Sequence, residues 1–118
     1  MRHACFGLLL AVSVVCPPRL WAQDAKPSIA ERLRAATGAI QANPRDKEAY
    51  RARAALYAAA AEHALAIADY DRLIELDPQS ADAYDQRGSQ HFMLGHIGES
   101  IDDFDRFLKL RPQQEPWH

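Results

Sequence analysis

Lys47 to Ser80 reads KEAYRARAALYAAAAEHALAIADYDRLIELDPQS, and Ala81 to Gln114 reads ADAYDQRGSQHFMLGHIGESIDDFDRFLKLRPQQ. Laid over each other at a shift of 34 residues, the two stretches match without a gap. Ala49 meets Ala83, Tyr50 meets Tyr84 and Arg53 meets Arg87. Ile67, Asp69, Asp71 and Arg72 meet Ile101, Asp103, Asp105 and Arg106, and then Leu76 and Pro78 meet Leu110 and Pro112. A self-similar period of this length marks stacked units, each of which buries its apolar face only against a neighbour.

Each stretch divides into two helices. In the second, the pattern predicts one helix from about Asp82 to Leu94 and another from about Glu99 to Leu110. Gly95 and Gly98 bracket the expected turn, and Pro112 closes the unit. Ile101, Phe104, Phe107 and Leu108 recur at three- and four-residue steps, which predicts one apolar face. Asp102, Asp103 and Arg106 then fall on the other side. In the first stretch, Leu56 and Tyr57 belong to the first helix, and Ile67, Tyr70, Leu73 and Ile74 to the second. No glycine marks its turn, and the run Ala58 to Ala61 favours helix, so the bend is expected near Glu62 to Ala64.

Upstream, Ile29, Leu33, Ala36 and Ile40 predict a further helix from about Ser28 to Ala42, ended by Asn43-Pro44. Pro44 lies one period before Pro78, so this helix holds the place of a second helix in an incomplete unit. Residues 28–46 therefore read as an N-terminal cap on the stack. Residues 115–118 enter the phase of a third unit, and Trp117 falls one place before the slot of Tyr50 and Tyr84. The last helix has no evident cover. Two expectations follow: a third repeat beyond His118, or a second copy that buries the open end.

The first 22 residues have the three-part pattern of a secretory signal peptide. Arg2 and His3 precede an uncharged run from Ala4 to Cys16; Pro17 and Pro18 break it, and Leu20-Trp21-Ala22 offers a cleavage site before Gln23. The run falls short of the roughly 20 apolar residues that span a bilayer, and a lipid anchor on Cys16 is the minor alternative. The expectation is an exported chain, periplasmic or secreted, with no membrane span. Cys5 and Cys16, the only cysteines, leave with that segment, so the mature chain needs no disulfide. Loss of Arg2 and Arg19 leaves 12 basic residues against 16 acidic ones, a formal charge of −4. That balance argues against nucleic acid, whose backbone requires a basic face.

The two units resemble the tetratricopeptide repeat family over residues 47–114, with a partial echo at 28–46. The family's alternating aromatic and small slots are held by Tyr50, Ala54, Tyr57, Ala66, Tyr70, Leu73 and Pro78. In the second unit they are held by Tyr84, Gly88, His91, Ser100, Phe104, Phe107 and Pro112. Ala54 and Gly88 allow close helix approach, and Tyr70 and Phe104 fill the space between paired helices. The sequence departs from the family where Arg53 and Arg87 replace a leucine, where Leu73 and Phe107 take a small slot, and where His91 replaces an aromatic. The resemblance implies an all-α superhelix of hairpins, here about five helices, whose first helices line a concave groove that receives a peptide or helix of a partner. The groove slots are Glu48, Arg51, Ala55, Ala58 and Ala59, then Asp82, Asp85, Ser89, Phe92 and Met93. One subset of the family holds a C-terminal carboxylate in a lysine and asparagine clamp; its asparagines are absent from these slots, so that ligand is not expected. Phe92 and Met93 beside the acidic pair suit a partner with an apolar anchor and a basic neighbour, although one of the two is expected to pack on the first unit instead.

Catalytic and cofactor chemistry finds no support. His63, His91 and His96 lack the three- or four-residue spacing of helical metal ligands, and they read as exposed helix-end residues. Asp69 and Asp71, with Asp102, Asp103 and Asp105, recur at repeat slots and read as a solvated face with Arg72 and Arg106 as local partners. No glycine-rich phosphate loop or nucleophile set is present. The sequence thus predicts no enzyme and no cofactor, but a protein-interaction module. Self-association through the C-terminal helix, or the front end of a longer repeat array, is the alternative.

Overall fold

Ser28 starts the folded part of the chain with a capping box. Its hydroxyl accepts from the Glu31 backbone N–H at 3.2 Å, and its own N–H donates to the Glu31 carboxylate at 2.7 Å. The computed structural model describes residues 25–111; the expected signal peptide over residues 1–22 and the residues 115–118 lie outside the described residues. Among these the chain forms α1 (Ile29–Ala42), α2 (Lys47–Ala59), α3 (His63–Leu76), α4 (Ala81–Met93) and α5 (Ile97–Leu110). Each helix packs against the next along the chain, as stacked helical hairpins. Short connections leave antiparallel neighbours as the accessible arrangement.

The turns carry their own chemistry. Asp46 caps α2 by accepting from the Ala49 N–H, and the Tyr50 hydroxyl donates to the Pro44 carbonyl at 3.0 Å. The α4–α5 turn places Gly95 at φ 79°, in the left-handed region where glycine has no steric cost. Its counterpart one period earlier is Ala61, at φ 60°. The first hairpin therefore bends at Ala60–Glu62, ahead of the expected Glu62 to Ala64. The alanine run does not prolong the helix, because packing of the pair fixes the turn. Gly98 does not bracket the second turn either: α5 begins at Ile97 and takes Gly98 into its first turn.

The core is shared by three helices. Tyr50 and Ala54 of α2, Ala66, Tyr70 and Leu73 of α3, and Ala83 of α4 form one cluster, with Tyr57 and Ile74 packed against it. Ala54 and Ala66 are fully buried, so small residues set the approach of α2 to α3 and leave room for Tyr70. Gly88 does the same between α4 and α5. A methyl group there would lie 3.1 Å from both Asp103 Cβ and Phe104 Cε1.

The acidic residues do not form the single solvated face read from the sequence. Asp69 and Asp103 are 5% and 4% exposed. Arg53 on α2 grips Asp69 on α3 with two hydrogen bonds of 2.8 and 2.7 Å, and Arg87 on α4 grips Asp103 on α5 at 2.9 and 2.6 Å. Arg72 pairs with Glu75, and Arg106 lies over the Tyr84 ring. A carboxylate at the joint is tolerable only because a planar guanidinium matches it with two parallel donors. Each arginine also reaches back to the preceding second helix: Arg87 donates to Asp71 at 2.8 Å, and Arg53 to Thr37 at 3.3 Å. The Asp103 hydrogen bond, seconded by Asp71 against the cost of burial, holds the Arg87 guanidinium still more firmly charged than a free arginine. The arginines that replace the family's leucine thus clamp three consecutive helices.

The face of α5 differs from its reading too. Phe104 and Phe107 are half-buried, but Ile101 and Leu108 stand 57% and 62% exposed. The side toward α4 holds Ser100 and Asp103 instead, and no described element covers the outer stripe.

Two outcomes are expected in urea unfolding. Ala61→Gly should raise stability by about 1 kcal/mol by removing a side chain from the left-handed turn, whereas Gly95→Ala should lower it; equal midpoints for wild type and Ala61→Gly would show that the turn is unstrained. Asp103→Ala should cost about 2 kcal/mol, since it removes two hydrogen bonds from a partly buried cation and leaves Asp71 as its acid. The pair Arg87→Met with Asp103→Leu should cost clearly less than the sum of the two single changes, and simple additivity would rule out the clamp.

Candidate functional site

The first helices α2 and α4 carry every predicted groove residue. On α2, Glu48 and Ala55 are exposed, and Arg51 is half-buried with its guanidinium 3.8 Å from the Glu48 carboxylate. Ala58 is half-buried and Ala59 exposed. The short side chains at 55, 58 and 59 leave the α2 backbone close to the surface. On α4, Asp82 is exposed, while Asp85 and Ser89 are half-buried. The Ser89 hydroxyl is turned back on its own helix and donates to the Asp85 carbonyl at 3.0 Å, which leaves the Asp85 carboxylate as the polar feature of that stretch.

Phe92 and Met93 stand 60% and 62% exposed at the end of α4. Neither packs on the first hairpin as expected of one of them. One period earlier, the end of α2 carries Ala58 and Ala59 at the same two positions, so α2 offers only short side chains there. Large apolar side chains left this open on a small domain mark an interaction surface more often than a scattered exposure.

The two helices meet electrostatically over Tyr70, which is almost fully buried between them. Burial pushes its phenol pKa up, Asp82 adds to the rise and Arg51 opposes it. One base on α2 and one acid on α4 thus flank the same ring. Of the expected groove carboxylates, Asp82 lies near this ring opposite Arg51, whereas Glu48 also lines the cleft between α1 and α2.

Histidine chemistry does not extend the site. His63 opens α3 half-buried, with Nδ1 2.7 Å from Oε1 of the buried Gln90 on α4; it is a hairpin-to-hairpin link and not the free helix-end residue read from the sequence. His91 and His96 face each other across the α4–α5 turn, Nδ1 to Nδ1 at 3.3 Å. Among the described residues no group of three histidine or acidic side chains is placed to hold a metal ion, and no helix is long and apolar enough to cross a membrane.

The functional pairs that the sequence reading missed are Arg53 with Asp69 and Arg87 with Asp103. A signal for them exists, because both pairs are separated by 16 residues. That recurrence places each arginine and its aspartate on adjacent helices of one hairpin.

Comparison with known proteins agrees with this architecture. The tetratricopeptide repeat family model matches residues 54–116, more than half of the chain. No curated protein matches in sequence. Among solved structures, the chain is similar to the first repeat domain of Spaghetti (RPAP3) bound to the HSP90 peptide SRMEEVD, with a TM-score of 0.69 and 27% identity, covering 73% of this chain and 68% of that one. It is similar to the Arabidopsis OM64 repeat domain, with a TM-score of 0.69 and 26% identity over 74% of this chain and 72% of that one. MamA shares the fold at a TM-score of 0.70 and 24% identity, over 73% of this chain, which spans half the length of MamA. A family match over most of the described residues, carried by two gapless units and a matching stack of hairpins, makes this chain a member of the tetratricopeptide repeat family.

Proposed function

We propose that this chain is a non-enzymatic interaction module that holds an extended or helical segment of a partner protein in the groove formed by α2 and α4. The observation that carries the reading is the exposure of Phe92 and Met93 at the end of α4, about two turns beyond Asp85 on the same helix. Such a surface suits a segment with an apolar anchor next to a lysine or arginine, the anchor supplying affinity and the base supplying register. The structure of RPAP3 contains the peptide SRMEEVD, which carries three acidic residues. Glu48, Asp82 and Asp85 would repel such a peptide here, and the asparagines of the family's carboxylate clamp are absent from the groove slots. The proposal is therefore the family's groove with its charge preference reversed.

Export belongs to the same reading. The pattern from Arg2 to Ala22 supports removal of a signal peptide and a periplasmic or secreted site of action, where the partner would be found.

Affinity capture from an extract of the exported fraction tests both parts. A single partner should be retained by the wild-type chain and weakened about thirty-fold or more by Phe92→Ala, the usual effect of losing an apolar anchor. Asp85→Lys should weaken it too, with a lower salt dependence of what remains. A partner retained equally by both variants would sink the groove assignment.

A further inference from the structure

Two surfaces at opposite ends of the helix stack answer each other. The first is a cleft of about 410 Å³ between α1 and α2, lined by Ala36, Ala39, Ala49 and Ala52 with Leu56, and edged by Arg32 and by the carboxylates of Asp46 and Glu48. The 34-residue period identifies it. Arg32, Ala36, Ala39 and Ala49 are the repeat equivalents of Ala66, Tyr70, Leu73 and Ala83. Those four residues form, with Tyr50 and Ala54, the core in which α2 is seated. The cleft is thus the seat of a helix one repeat ahead of α2. Its sizes are inverted, however. Where the α2 seat offers Tyr70 and Leu73 and receives the small Ala54, the cleft offers two alanines and has room for bulky side chains.

The second surface is the outer stripe of α5, where Ile97, Ile101 and Leu108 stand exposed at steps of four and seven. Its equivalents on α3, Ile67 and Ile74, are half-buried, and Ile74 packs against the shared core. On α5 the same positions, Ile101 and Leu108, are more than half exposed, and Ile97 beside them is open as well. A ridge of large aliphatic residues is what an alanine-lined cleft accepts, and α5 at 14 residues matches the 13-residue α2 that fills the equivalent seat.

One charge pair is available to set the register. On α3, Asp71 accepts from Arg87 of the helix that follows it. Its equivalent on α5 is Asp105, which is exposed beside the ridge and pairs with no base among the described residues. Arg32 stands in the cleft and supplies one. We propose that α5 of one copy seats in the α1–α2 cleft of a second copy, so that the chains assemble head to tail and continue the helical stack from one molecule into the next. The contact is heterologous: each copy retains one open ridge and one open cleft, and growth continues unless it closes into a ring.

Sedimentation of the mature chain over a dilution series, with two variants, tests this. The wild type, residues 23–118, should show a mass that rises with concentration above that of one copy. Ile101→Glu spoils the ridge and Ala52→Glu spoils the cleft; both positions are exposed, so both variants should keep the helical circular-dichroism spectrum. Each alone should raise the dissociation constant about tenfold or more. Mixed in equal amounts they should form a dimer and stop there, since the mixture holds one intact ridge and one intact cleft per pair. As a second measure that leaves the apolar surfaces in place, Asp105→Arg should weaken assembly and the added Arg32→Asp should restore it. Loss with Ile101→Glu but not with Ala52→Glu would mark α5-to-α5 pairing and overturn the proposal. A wild-type mass that stays at the monomer at every concentration would overturn it too.

Discussion

A guanidinium held between two carboxylates on different helices fixes this molecule more than any apolar contact does. Arg87 reaches forward to Asp103 and back to Asp71, so α3, α4 and α5 are pinned at a single point. The apolar core alone is modest: it rests on two tyrosines, a leucine and several alanines. Small residues give close approach but little buried area, and non-directional burial leaves helices free to slide. The forked geometry of arginine on a carboxylate removes that freedom. Its cost is desolvation, which the near-complete hydrogen bonding of both carboxylates offsets; no buried side-chain polar atom among the described residues lacks a partner.

The period made the architecture readable. Two gapless matches over residues 47–114 placed the hairpins, and the prolines at 44, 78 and 112 marked the unit boundaries. The turn in the first hairpin was harder, because Ala61 adopts a conformation that alanine disfavours and leaves no glycine to announce it. The aspartates were misassigned for a related reason. Helical periodicity sorts residues by polarity, so it sends every aspartate outward. It has no means of recognising that Asp69 and Asp103 are taken inward by arginines from the neighbouring helix. Only the paired recurrence of arginine and aspartate in both units carries that information.

The groove was legible as a set of positions and not as a surface. The slots on α2 and α4 follow from the repeat, but whether Phe92 and Met93 are open depends on what packs at the end of α4, which periodicity does not give. The same holds for α5, where a regular apolar stripe reads as core although its outer half faces away from α4. In a stacked repeat an apolar stripe signals that a neighbour belongs there, not that the neighbour is present in the same chain.

The back contact of each arginine differs between the units. Arg87 meets a charged acceptor in Asp71 at 2.8 Å, whereas Arg53 meets the neutral hydroxyl of Thr37 at 3.3 Å. In the nearest-neighbour description of a linear array, the joint between α1 and the first full hairpin is therefore the weaker link. Helix α1 buries only Ala36 closely, so opening of the array should begin there and advance toward α5. The ordered sequence of such partial openings makes the amino-terminal end the gate of the molecule, through which a docked neighbour or a protease would act first.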